Sequence, residues 1–247
     1  MTSPLAVVIM AAGKGTRMKS DLAKVLHPLG GKPMLEYVVR VSEKLSPEKI
    51  VVIVGHQAAP VQEAMKNFNI AFALQEPQLG TGHAVMQTET ALKNFDGDVI
   101  VLSGDAPLIT AETLDRLLNF HRTKSAAATM LTATLSDPTG YGRVIRDATG
   151  DHVVRIAEQK DASESEKQVL EVNSGIYVFQ KALLFAALKH IRNDNMQQEF
   201  YLPDVFKIFV AEGKTIAAMP VENINEIKGI NTPEQLAEAE AALQTRI

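Results

Sequence analysis

Leu5-Ala6-Val7-Val8-Ile9-Met10 is an unbroken aliphatic run that passes directly into Ala11-Ala12-Gly13-Lys14-Gly15-Thr16-Arg17-Met18. An apolar run without polar alternation reads as a strand buried on both faces, as in a parallel sheet. A second such run, 49–54, ends at Gly55. Between them Leu35, Val38, Val39, Val41 and Leu45 recur at the spacing of a helix lying on a sheet. Strand, helix and strand make a βαβ unit, and the alternation continues. A helix is expected near 60–68, a strand at 70–74, a helix near 83–92, a strand at 99–102 and a helix near 111–121. This pattern predicts an α/β fold with a doubly wound, mostly parallel sheet and ligands at the carboxyl ends of its strands.

After Ala126 the texture changes. Strand-like stretches at 127–135, 143–146, 153–157 and 172–179 are joined by turns, which predicts an inserted, smaller, β-rich lobe. Its most polar stretch, 160–167, reads as a mobile surface loop. Helices return at 182–191 and 202–212, a strand follows at 215–219, and a helix at 233–243 closes the chain with Thr232 as its cap. The expectation is one domain over 1–247, with parts at 1–125, 126–180 and 181–247. That length allows a full hydrophobic core.

A formal net charge of −4 and the lack of a Lys/Arg-rich run give no surface suited to nucleic acid or an anionic membrane, so small molecules are the expected partners. Cysteine is absent, which excludes disulfides and thiolate chemistry and is compatible with the expected cytoplasmic location. The first apolar run is too short to span a bilayer.

The glycine loop after the first strand lets backbone amides turn toward one point, and Lys14 and Arg17 bring cations there. Such a loop suits a triphosphate, although an ordinary strand-to-helix turn would look similar. Met18 stands where a dinucleotide fingerprint needs its third glycine, and no Walker A spacing is formed. Gln75, at a strand end, carries the amide donor and acceptor that could pair with a uracil edge, or is a solvated residue; Gly80 and Thr81 would bring backbone close to the base. Asp105 follows a hydrophobic strand, so its carboxylate is expected at the sheet edge where a hard cation needs oxygen; the alternative is a helix cap. None of the six histidines forms a ligand pair, and neither a Gly-x-Ser-x-Gly elbow nor a paired-carboxylate arrangement is present.

These segments together carry a family resemblance. Gly13-Lys14-Gly15-Thr16-Arg17-Met18, Ser20-Asp21-Leu22-Ala23-Lys24-Val25-Leu26 and Gly30-Gly31-Lys32-Pro33-Met34 open the match. Gln75 to Ala84, Ser103-Gly104-Asp105, Gly140-Tyr141-Gly142-Arg143, Glu158-Gln159-Lys160, Asn173-Ser174-Gly175, Glu199-Phe200-Tyr201-Leu202 and Gly229-Ile230-Asn231 continue it. In order and spacing the chain resembles the nucleotidyltransferases that couple UTP to N-acetylglucosamine 1-phosphate. The resemblance implies a Rossmann-like nucleotidyltransferase sheet with a sugar-binding lobe, and a product pair of UDP-N-acetylglucosamine, a cell-wall precursor, and pyrophosphate. It implies nucleotide contacts at Met10, Ala11, Ala12, Gly13, Gln75, Gly80, Thr81, Ser103 and Gly104, with Arg17 and Lys24 catalytic. It further implies sugar contacts at Gly142, Glu158 and Asn173, and magnesium (Mg2+) on Asp105 and Asn231. Read without the family, Gly142 is a plain turn and Asn231 orders a helix start.

The chain departs from the pattern in three places. Ala23 stands where the family has proline before the lysine, which removes a conformational restraint. Ser103 stands where an aromatic is common. Bifunctional members continue into a left-handed β-helix that acetylates glucosamine 1-phosphate, whereas this chain stops after its closing helix; neither the acetyltransferase nor its trimer is expected here. Transfer to another sugar 1-phosphate, cytidylyl or guanylyl transfer, and a non-catalytic sugar-nucleotide sensor are the competing readings.

Overall fold

The computed structural model describes residues 3–244. In chain order the strands are β1 (Leu5–Met10), β2 (Pro28–Leu29), β3 (Lys32–Pro33), β4 (Lys49–Val54), β5 (Ala71–Leu74), β6 (Asp98–Ser103), β7 (Ala128–Thr134), β8 (Gly142–Arg146), β9 (Val153–Ala157), β10 (Glu171–Gln180) and β11 (Ile216–Pro220). The helices are α1 (Met34–Lys44), α2 (Ala58–Ala64), α3 (Thr81–Met86), α4 (Ala111–Thr123), α5 (Glu164–Lys167), α6 (Lys181–Leu188), α7 (Asp204–Ala211) and α8 (Pro233–Gln244).

The main sheet runs β11-β7-β10-β6-β1-β4-β5, with β8 paired to β10 and β9 paired to β8. β1 is parallel to both β4 and β6, β4 to β5, and β7 to β11; along this path only β10 runs against its neighbours. From β1 the chain builds outward to β4 and β5 on one side, then returns to lay β6 on the other. The reversal at β1/β6 opens a crevice at the carboxyl ends of the two central strands, the usual ligand position in such sheets.

Both faces of the sheet are covered. Ala6 and Val8 of β1 join a core with Leu184, Phe185, Phe206 and Phe209 from α6 and α7. Leu5, Val7 and Ile9 join the opposite core with Leu35, Val38 and Val61 and with Leu114 and Leu117 of α4. The strict alternation along β1 explains why its sequence is aliphatic throughout: each successive side chain enters a different core. α8 packs through Ala239 in a smaller cluster with Leu29, Met34, Leu108 and Ile230. Thr232 caps its start, its hydroxyl accepting from the Gln235 amide at 3.3 Å.

Three expectations differ in detail. β7 and β10, expected in the inserted lobe, lie on the central path of the main sheet, and only β8 and β9 branch from that path, through β10. The helix expected near 83–92 ends at Met86 and continues as turns; the Thr88 hydroxyl donates to the Val85 carbonyl at 2.7 Å, a local bond that competes with helix propagation. The stretch 160–167, expected to be a loop, contains α5 with a full capping box: Ser163 Oγ accepts from the Glu166 amide, and Glu166 accepts from the Ser163 amide at 2.9 Å. The Ser-x-x-Glu spacing is the signal for that turn, and its polar composition hid it.

Candidate active site

The loop after β1 keeps its shape through few contacts of its own. The Ala11 amide donates to the Ile53 carbonyl, and the Ala12 carbonyl accepts from His56. Among the described residues the amides of Ala12, Gly13, Lys14 and Gly15 donate to no protein acceptor. Four successive free amides at a strand end are the raw material of an anion cradle. Gly15 takes φ +62, and a Cβ there would stand 2.6 Å from Lys24 Cβ, so this glycine allows the loop to press against the segment that carries Lys24. Ala23 keeps φ −53 and ψ 133, values open to proline, so the missing ring leaves the local shape intact.

This loop forms one wall of a cavity of about 410 Å³, also lined by Met10, Lys24, Gln75, Gly80, Thr81, Ser103 and Asp105. Ten of the expected residues therefore meet there, counting Ala11, Ala12 and Gly13. Gly104 lies beneath the floor: its amide donates to the Met10 carbonyl, and a Cβ would crowd Leu35 and Val25. Gln75 is 3 % exposed. Its amide nitrogen donates to the Gly80 carbonyl at 2.9 Å and lies 3.2 Å from His83 Nδ1, which leaves its carbonyl oxygen as the end available to a ligand. Burial holds the His83 ring below its ordinary pKa, so it is neutral and can accept this bond.

Beside the glycine loop the charged groups converge. Lys24 Nζ donates to Asp105 Oδ2 and, at 3.0 Å, to Asn231 Oδ1; Arg17 Nη2 donates to the same Asn231 oxygen at 2.8 Å. Ser103 Oγ holds the other Asp105 oxygen at 2.7 Å. Asp105 is thus no helix cap, a task that Thr110 performs for α4. Nor does the Asn231 side chain merely order α8, because it faces the two cations. Asp105 and Asn231 oxygens aim at one cation, the Lys24 ammonium, and one carboxylate plus one neutral oxygen suits a magnesium ion that keeps phosphate and water in the rest of its shell.

The residues expected on the sugar side, Gly142, Glu158 and Asn173, form a second corner. Gly142 pairs with Asn173 across β8 and β10. A Cβ on Gly142 would lie 3.2 Å from Glu158 Oε1, so the three residues adjoin. Asn173 Nδ2 donates to the Tyr177 hydroxyl at 2.7 Å, and Asn173 Oδ1 accepts from the Gly175 amide at 3.2 Å, which fixes the amide in one orientation. Burial, reinforced by Asp204, Asp161 and Glu199, raises the Glu158 pKa. The two corners are linked by Tyr141, whose hydroxyl pKa is raised by burial and by the Asp105 charge, and by Glu199, which lines the cavity beside the glycine loop and adds to the rise of the Glu158 pKa.

Val25, Gln78, Ala84 and Glu199 also line the cavity and were not singled out as site residues, although Gln78, Ala84 and Glu199 lie in segments that carry the family resemblance; Lys14 was expected only as a nearby cation. Gln78 is placed by a bond from its amide to the Gln75 carbonyl at 3.1 Å. Glu199 arrives because its backbone is held at both ends by Asn195 and packs on Gly80. Nothing local in the sequence announces that contact.

Comparison with known proteins agrees with this arrangement. The nucleotidyl transferase family matches residues 6–243. The bifunctional protein GlmU of Halalkalibacterium halodurans is 50% identical over 240 residues, covering 97% of this chain and 52% of that protein. The bifunctional protein GlmU of Streptococcus suis is likewise 50% identical over 240 residues, with the same shares. The chain spans about half the length of these relatives. A crystal structure of UDP-glucose pyrophosphorylase complexed with UDP-glucose shares the fold across the full length of both chains, with a TM-score of 0.77 at 15% identity. By its matched length, its sheet and the crevice at the β1/β6 reversal, the chain belongs to the nucleotidyl transferase family.

Proposed function

We propose that the chain transfers a uridylyl group from UTP to N-acetylglucosamine 1-phosphate, giving UDP-N-acetylglucosamine and pyrophosphate. The observation that carries this reading is the meeting of Arg17, Lys24, Asp105 and Asn231 at the mouth of the glycine loop. A sugar-phosphate oxygen attacks the α-phosphorus of UTP in line, the bond to pyrophosphate breaks, and the leaving group carries away the electron pair. The nucleophile is already ionised near neutral pH, so no side chain has to remove a proton. The protein's contribution is position and charge: the free amides of residues 12–15 cradle the triphosphate, and Arg17 and Lys24 offset the charge that grows on the leaving pyrophosphate. A magnesium ion on Asp105 and Asn231 would neutralise phosphate charge when bound. Among the described residues no group of three or more His, Asp or Glu side chains could enclose a metal, in keeping with an ion shared with the substrates.

Pyrophosphate release over a panel of nucleoside triphosphates and sugar 1-phosphates tests the reading. Turnover is expected with UTP and N-acetylglucosamine 1-phosphate; release with no pair would overturn it in favour of a sensor. Base choice follows from Gln75. With its amide hydrogens directed at Gly80 and His83, the remaining oxygen accepts from the N3–H of uracil, whereas cytosine presents an acceptor at N3. Gln75→Ala should raise KM for UTP about tenfold, the worth of one buried hydrogen bond, and narrow the preference for UTP over CTP. An unchanged UTP/CTP ratio would remove Gln75 from base recognition.

Glu158 gives a pH-dependent prediction. Its pKa in the folded protein is raised, so its contribution to stability is fully present below the unfolded value of about 4.3 and is lost as pH rises through the folded value. At neutral pH the half-buried carboxylate, crowded by other acids, opposes folding. Glu158→Gln should therefore melt above the wild type at pH 7, the gap closing toward acid, while KM for the sugar 1-phosphate rises because an acceptor for sugar hydroxyls is lost. Thermal melts across pH, paired with sugar-phosphate kinetics, check both halves.

A further inference from the structure

Arg143 is the largest side chain among the fully buried residues, at 2 % exposure. No carboxylate lies within ion-pair distance of it among the described residues, and its Nε has no hydrogen-bond partner. Its neighbours on the same ribbon are treated differently: Arg146 makes a bidentate pair with Glu171 at 2.7 and 2.8 Å, and Arg155 pairs with Glu166. A guanidinium buried without a direct ion pair, with Asp137 acting on it only from beyond ion-pair distance, is costly, and an apolar side chain of similar volume would be expected to stabilise the site as well or better. Stability does not account for a buried arginine here, and its two hydrogen bonds point to another role. Nη1 donates to the Tyr141 carbonyl, and Nη2 makes a long contact of 3.5 Å to the Lys167 carbonyl at the end of α5.

The Tyr141 carbonyl sits in the turn that joins the two corners of the site. On one side the Tyr141 ring lies close enough to Asp105 to feel its charge; on the other, Gly142 abuts Glu158 and pairs with Asn173. The turn has few anchors of its own: the Tyr141 amide donates to the Pro138 carbonyl at 3.2 Å, and the Gly140 amide to Gln159 Oε1 at 3.2 Å.

We infer that Arg143 is a positioning residue that pulls the Tyr141–Gly142 turn into register between the Asp105 corner and the Glu158/Asn173 corner, at a cost in stability. The inference rests on the proposed sugar-phosphate reading for its kinetic consequence, but the clamp itself is a property of the free protein.

Two variants test it. Arg143→Met keeps the aliphatic volume and removes every donor; Arg143→Lys keeps a buried cation able to reach one carbonyl. In the substrate-free protein, amide exchange at Gly140 and Tyr141 should accelerate in Arg143→Met by on the order of tenfold, with partial restoration in Arg143→Lys. The melting temperature of Arg143→Met should equal or exceed that of the wild type. KM for the sugar 1-phosphate should rise by a similar factor, while UTP affinity measured without sugar stays unchanged. Unchanged exchange at Gly140 and Tyr141 overturns the clamp whatever the substrates are. So does faster exchange with an unchanged KM for a sugar 1-phosphate that the wild type turns over. If Arg143→Met melts early and loses UTP and sugar affinity together, the arginine is merely structural and the inference fails. Absence of turnover in the wild type counts against the substrate reading alone, because the exchange result is read separately.

Discussion

Asp105→Asn is expected to lower kcat by on the order of 10²- to 10³-fold, the loss seen when a single preorganised group is removed from a developing charge. The substitution keeps the volume and the bond from Ser103 Oγ, so the side chain stays where it is. What disappears is the negative charge on which Lys24 and, in the proposed reading, a magnesium ion depend. Both side chains of the Lys24–Asp105 pair are largely shielded, at 15 % and 13 % exposure, so the charge acts through a medium that screens it less than water does. Some of the loss could come from an unpaired Lys24 rather than from the metal corner. Thermal melts separate the two: an unpaired, largely shielded Lys24 lowers the melting temperature of Asp105→Asn, whereas loss of the metal corner lowers turnover and leaves the melt in place. A magnesium titration adds the second reading, since the variant should need a higher concentration for half-maximal activity. Turnover above a tenth of wild type at saturating magnesium would remove Asp105 from the catalytic corner.

The parts of this site legible in the sequence are those that one strand end determines. Asp105 could be placed because β6 is aliphatic up to Ser103 and the chain must turn there; the glycine loop could be placed for the same reason at β1. Parallel pairing in register, Met10 beside Ser103, then brings both to one edge without further information. Where distant segments must meet, the sequence is mute. Glu199 reaches the cavity across more than a hundred residues because the neighbouring Phe200 backbone bonds to Leu79 and packs on Gly80, a contact with no periodic signature. β10 was readable as a strand, but periodicity of two carries no direction, so its antiparallel insertion between β6 and β7 was not readable. Arg143 was hidden by chemistry. Arginine is almost never fully buried, so Arg143 reads as the first residue of a strand after a plain turn at Gly142, and nothing in that reading marks its burial.

Gly80 and Gly13 look alike in the sequence, as small residues in nucleotide loops, and the structure separates them. Gly80 has φ +105 and ψ 174, a region open almost only to glycine. A Cβ there would lie 2.7 Å from the Phe200 carbonyl oxygen and 2.8 Å from Glu199 Cβ, and neither can swing aside as the end of a flexible side chain could. The same strip is pinned on both sides, by the Phe200 amide on the Leu79 carbonyl at 2.8 Å and the Gly82 amide on the Phe200 carbonyl at 2.7 Å. Gly80→Ala therefore adds backbone strain to a collision, together about 3 kcal/mol or more. At roughly 2–4 °C per kcal/mol for a chain of this size, the melting temperature should fall by about 6–12 °C. Glu199 moves with the strip, so KM for UTP should rise as well. Gly13 is the internal control: its φ is not positive, and a Cβ there meets nothing within 4 Å. Gly13→Ala should leave the melting temperature within error of wild type and still weaken UTP binding, because the added methyl meets no protein atom and intrudes only on the space that the proposed reading gives to the triphosphate. Equal melting losses in the two variants would mean that the glycine loop is kept for folding, and the cradle formed by the amides of residues 12–15 would lose its chief support.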